Sequence, residues 1–154
     1  MAYTAANDAF CVQTDVEGLV GRGAFTSGTK PTAQQCLDWM ARIAAEVEAK
    51  LAENGSTYTV SSHGAPFPAS PTDARIYRLK VLAESANAIG AAAQLLYMHD
   101  VKDEYGNVPS SVALFKQYAG LLESIVATTE ASQSTAVFSD TNTDKLQFLT
   151  DTEF

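Results

Sequence analysis

The sequence predicts an all-α protein: a small antiparallel helical bundle of about four helices, with a long loop after the second main helix and an extended C-terminal arm. Three observations carry this expectation. Apolar residues recur at steps of three and four over long segments, the spacing of one helical face. Thr and Gln stand three residues apart where helix starts need capping side chains. From Ala131 the periodicity stops, and the remaining residues are rich in Ser and Thr. At 154 residues and 46% hydrophobic, the chain fits one body with a sizeable core. The division is a helical body over residues 1–130 and an arm over 131–154.

The first helix is short. In "TDVEGLVGRG", Thr14 can cap and Glu17 follows three residues later, a capping box; Gly18, Gly21 and Gly23 then limit its length. After the loop "AFTSGTKP" comes the clearest helix, "TAQQCLDWMARIAAEVEAKLAENG". Pro31 precedes it, and Thr32 with Gln35 forms a second capping box. Cys36, Met40, Ile43, Val47 and Leu51 make one apolar stripe. Asp38, Arg42, Glu46 and Lys50 run down another face, two pairs having the favourable acid-before-base order. Glu46 and Glu48 could be catalytic or metal-binding carboxylates, but the alternating signs favour a solvated, salt-bridged face. Gly55 after Asn54 ends the helix.

The linker "STYTVSSHGAPFPASP" comes next. "TYTV" reads as a short strand and the remainder as loop, of a length often functional or mobile; His63 reads as an ordinary loop residue. The third helix, "DARIYRLKVLAESANAIGAAAQLLYMHD", is capped by Ser70 or Thr72, with Pro71 near its first turn. Ile76, Leu79, Ala83, Ala86, Gly90, Ala93 and Tyr97 form one stripe; Leu82, Ile89 and Leu96 form a second. A helix apolar on most sides is central, covered by more than one neighbour. Ala83, Ala86, Gly90 and Ala93 are a candidate packing seam where another backbone approaches closely, since Gly90 costs about 1 kcal/mol against Ala in a helix.

"DVKDEYGNVP" lacks the ligand pattern of a calcium loop and reads as an acidic turn; His99 beside it has no metal-ligand spacing. The fourth helix starts at Ser110 or Ser111. Val112, Phe115, Ala119, Leu122 and Val126 face one way, and Leu114, Tyr118, Leu121 and Ile125 widen that face. The arm then carries spaced hydrophobes, Phe138, Leu146, Phe148, Leu149 and Phe154, as candidate docking anchors.

Charge narrows the function. A net charge of −8 and a pI near 4.6 argue against tight, sequence-independent DNA binding, which needs Lys and Arg on phosphates. They fit a surface that DNA slides past without sticking. Cys11 and Cys36 are too few for a disulfide framework and read as buried hydrophobes in a reducing cytoplasm. "MAYTAANDAF" has neither the basic region nor the long apolar run of a signal peptide. The uncharged helical stretch Ser85 to His99 is shorter than the roughly 18 to 20 residues of a membrane span, so a soluble, cytoplasmic chain is expected.

No phosphate-binding glycine loop, nucleophile elbow or paired His/Cys ligands occur. "GLVGRG" comes after a helix, not a strand. No catalytic residue, metal or cofactor is therefore expected. The class left is a structural or interaction protein, an oligomer that grips a partner.

The order "TDVEGLVGRGAFT", "PTAQQCLDWMARIAAEVEAKLAENG", a loop, then "LAESANAIGAAAQLL" resembles tailed-bacteriophage head–tail connector proteins, also called head-completion or adaptor proteins. The resemblance covers roughly residues 14 to 126 as an order of Ala-rich helices. It implies a homo-oligomeric ring, in such proteins commonly of about twelve copies, beneath the portal protein. The ring extends the DNA channel, through which DNA passes without specific binding, and offers a platform to a tail or stopper protein. The C-terminal segment, here after Val126, would dock on the portal. The location implied is the virion neck, with host cytoplasm during assembly and no membrane. No catalytic residues transfer. Another phage neck or tail-completion protein is the alternative, and a small helical-bundle enzyme a more distant one.

Overall fold

A computed structural model describes residues 5–53, 55–99 and 110–128. Among these residues the fold is all-α, without strands. The helices are α1 (Ala5–Asp8), α2 (Gln13–Val20), α3 (Ala33–Glu53), α4 (Ala74–His99) and α5 (110–128), with one 3₁₀ turn at Ser61–His63. The one-turn helix α1 has too few residues to show a period and was not anticipated.

α4 is the centre of the bundle, as its two apolar stripes require. Leu79, Ala83, Ala86, Ala88, Ala91, Ala92, Ala93, Leu95 and Leu96 are all buried along it. α3 lies antiparallel on one side: Trp39, near its start, donates Nε1–H to Met98 Sδ at 3.2 Å, while Ile43 meets Gly90. α5 is antiparallel on another side: Phe115 sits edge-on to Tyr97 at 6.3 Å, and Tyr118 packs on Gly90, about two turns earlier in α4. α2 runs in the same sense as α4. Its Asp15 lies by Glu84, and Arg22 just past its end donates to the His99 carbonyl at 3.3 Å.

The apolar stripe of α3 is buried as expected: Cys36, Met40, Ile43, Val47 and Leu51 are at most 1% exposed. Fully burying a side chain of this size contributes roughly 1.5–3 kcal/mol, so this stripe holds α3 firmly to the rest of the body. The second capping box also forms. Thr32 N–H donates to Gln35 Oε1 at 3.0 Å, and Gln35 N–H to Thr32 Oγ1 at 3.2 Å.

Four expectations need correction. α2 begins at Gln13, so Thr14 is inside the helix; Val12 is the N-cap, and its N–H donates to Asp15 Oδ2 at 3.3 Å. α4 is capped by Asp73, whose Oδ1 accepts the Arg75 and Ile76 N–H groups at 2.8 and 3.2 Å. In both cases a carboxylate wins over nearby hydroxyls because its charge also suits the positive end of the helix dipole. α5 is rotated: Ser111, Tyr118 and Ile125 are buried, while Val112 and Ala119 face outward. Two overlapping stripes existed there, and Gly90 selects the one bearing Tyr118. Finally, "TYTV" forms no strand. Thr59 N–H donates to the Ala65 carbonyl at 2.8 Å, and Thr59 Oγ1 accepts the Ala65 N–H at 3.1 Å, closing a local loop.

Candidate functional site

The residues of the predicted seam lie inside the fold. Ala83, Ala86 and Ala93 are fully buried, and Gly90 is buried among them. A Cβ built on Gly90 would lie 2.7 Å from Ile43 Cγ2 and 3.0 Å from Tyr118 Cδ2 and Cε2. The gap is filled by side chains of α3 and α5 rather than by a close-passing backbone. Tyr118 is held there by its hydroxyl, which donates to Glu46 Oε2 at 2.7 Å. Burial, reinforced by that carboxylate, pushes the tyrosine pKa upward.

The polar centre is Asn87, fully buried on α4. Its Oδ1 accepts the Phe10 N–H at 2.7 Å, and its Nδ2 donates to the Met40 carbonyl at 2.8 Å. One side chain thus joins α4, α3 and the segment after α1. In the sequence Asn87 is only a polar interruption in an apolar helix. The signal was that very isolation, since an amide so placed needs partners.

The loop over residues 56–73 is pinned to the body at several points. Glu48 on α3 accepts the Val60 N–H at 2.6 Å and meets His63 Nδ1 with both oxygens, at 2.9 and 2.8 Å. Phe67 stacks on Tyr58 with centroids 4.4 Å apart and lies 6.0 Å from Phe10. Lys80 donates to the Pro68 and Ala69 carbonyls at 3.2 and 2.8 Å. Glu46, which is exposed, and Glu48 each also accept from another segment, the Tyr118 hydroxyl and the Val60 N–H. His63 is part of a latch, not an idle loop residue. Beside the latch lies a cavity of about 260 Å³ lined by Asp8, Arg42, Ser62 and His63. Cys11 and Cys36 are buried and unbonded to each other, and burial pushes each thiol pKa from 9.0 up to about 12.

Some apolar side chains of the described body face outward. α2 and α4 flank an open groove of about 320 Å³, lined by Asp15, Leu19, Glu84, Ser85, Ala88 and Ile89. Leu19 is 40% exposed, and Tyr77 and Val81, two turns and one turn before Ser85, are 57% and 40% exposed. Val12 continues the apolar line on α2 at 52% exposure. A second outward face lies on α5, where Val112, Ala119 and Gly120 are exposed together with Lys116, Gln117 and Glu123, so it is of mixed character. The Tyr77, Val81, Ser85, Ile89 line repeats at steps of four and was legible, but only Ile89 of it falls in the stripes read as core. The candidate arm anchors Phe138, Leu146, Phe148, Leu149 and Phe154 lie outside the described residues. Among the described residues no helix is long and apolar enough to cross a membrane.

No family model, curated protein or solved structure matches this chain.

Proposed function

We propose that this chain is a structural protein of a tailed-phage virion, a head–tail connector that forms a ring beneath the portal protein, extends the DNA channel and links capsid to tail. The observation that carries the reading is a tightly tied helical body with two separate outward faces, the α2/α4 groove with its exposed apolar side chains and the mixed polar and apolar face of α5, joined to a C-terminal segment rich in spaced hydrophobes. Neighbouring copies would cover the faces, and the segment after α5 would grip the portal. Each fully buried Leu or Phe of that segment would contribute roughly 1.5–3 kcal/mol. The conformational entropy lost on docking offsets much of this, and repetition around a ring restores strength through multivalency. The net charge of −8 suits a channel through which DNA moves without adhering.

The test is negative-stain imaging of the protein with and without the candidate portal. Rings at the portal face are expected, and their loss on deleting residues Asp144 to Phe154 while the helical circular-dichroism signal is kept. A monomer that never joins portal particles overturns the reading.

A further inference from the structure

Among the described residues sulfur is buried at three positions and exposed at one. Cys11 and Cys36 are buried and unbonded to each other. Met40 is 0% exposed, and its Sδ accepts the Cys36 thiol at 3.6 Å. Met98, in the last turn of α4, is 52% exposed. Its Sδ accepts the Trp39 Nε1–H at 3.2 Å, which ties the chain near the start of α3 to the end of α4. The Arg42 guanidinium lies 5.0 Å from the centre of the same indole and helps hold the ring in place. A thioether sulfur carries two lone pairs. On Met98 the indole N–H engages one, and among the described residues nothing engages the other.

We propose that Met98 is a modification site, oxidised by peroxides to one epimer of methionine sulfoxide, and that this step resets the Trp39 contact between α3 and α4. The unengaged lone pair of Sδ attacks one oxygen of hydrogen peroxide. An S–O bond forms, the O–O bond breaks, and the second oxygen leaves as water with the proton of the transferred hydroxyl. Sulfur gives up two electrons and the peroxide accepts them. The hydrogen-bonded lone pair is blocked, so oxygen enters on one face and the chiral sulfoxide forms as one epimer. The oxidised sulfur is electron-poor and a weak acceptor, so Met98 must turn its new oxygen to the indole or release the ring. Either outcome replaces a soft, weakly polar sulfur beside Trp39 with a strong dipole or with water. Methionine sulfoxide reductases, one type for each epimer, restore the thioether, which makes the change reversible. Neither a ring nor a portal is required.

Treating the full-length protein with hydrogen peroxide tests this. Peptide mass spectrometry should show Met98 gaining one oxygen at least about tenfold faster than Met40. Trp39 is the one tryptophan of the chain, so its emission reports this contact alone. The emission should move to longer wavelength in step with Met98 oxidation and return on reduction, and Met98→Leu should show no such shift. One reductase type should restore most of the Met98 sulfoxide and the other little. Trp39→Phe keeps an aromatic ring but removes the donor, and should give the two epimers in about equal amounts. Wild type unfolded in urea should do the same and lose the preference for Met98 over Met40. Met40 oxidised as fast as Met98 in the folded protein would overturn the site. Equal epimers in the folded wild type, an emission unchanged by complete Met98 oxidation, or the same shift in Met98→Leu would overturn the role of the Trp39 hydrogen bond.

Discussion

Gly90→Ala separates two effects of opposite sign. Replacing a helical glycine removes a backbone-entropy penalty of about 1 kcal/mol. Here the new methyl meets Ile43 Cγ2 at 2.7 Å and the Tyr118 ring at 3.0 Å. Ile43 is 1% exposed and β-branched in a helix, which leaves it essentially one rotamer. Tyr118 cannot swing away without losing the hydroxyl bond to Glu46. Overpacking of this kind costs about 1–3 kcal/mol, so the net change is a loss of about 0–2 kcal/mol. At this chain length each kcal/mol moves Tm by roughly 2–4 °C. Gly120→Ala is the internal control, a helical glycine with open space around it, and should raise Tm by a few degrees. Thermal unfolding followed by circular dichroism reads both. If Gly90→Ala were as stabilising as Gly120→Ala, the close packing of α3, α4 and α5 at this glycine would be refuted.

Three further outcomes are expected. Asn87→Ala leaves the Phe10 N–H without its acceptor and opens a small void, costing about 2–4 kcal/mol in urea unfolding; unchanged exchange protection of the Phe10 amide would contradict this. Glu48→Ala frees the Val60 N–H and His63 together, costing about 1–2 kcal/mol. It should speed proteolysis within residues 56–73, whereas His63→Ala should do less because its side chain is 57% exposed. Cys11 and Cys36 keep their protons in the fold up to about pH 12. The folded pKa is raised, so their contribution is complete below the unfolded value and is lost as pH climbs from about 9 towards 12. Alkylation at pH 8 should be slow in the native protein and fast in urea; rapid native labelling would refute the burial.

The helices were legible because their signals are local. The steps of Cys36 to Leu51 and the Thr32–Gln35 box depend only on neighbours along the chain, and both formed as the spacing required. The small-residue run through Gly90 showed close packing, though not which side chains would fill it. Illegible were choices settled at long range. Two stripes on α5 were equally periodic until Tyr118 found Gly90 and Glu46. Glu48 looked like one more surface carboxylate until the chain returned twelve residues later with the Val60 N–H. The candidate interface was hidden for a related reason. Tyr77, Val81 and Leu19 have the composition of core residues, and only the positions of α2 and α4 show that nothing in the described body covers them.

Asn87 has a consequence for alignment. Helices faced with alanine offer shallow, repetitive grooves, and such surfaces slide past one another at little cost. A slip of α4 by one turn, about 5.4 Å, would carry the Asn87 amide away from both the Met40 carbonyl and the Phe10 N–H. Every stranded buried group then costs about 1–3 kcal/mol. The single amide acts as a detent on an otherwise smooth shaft, stopping the central helix at one position.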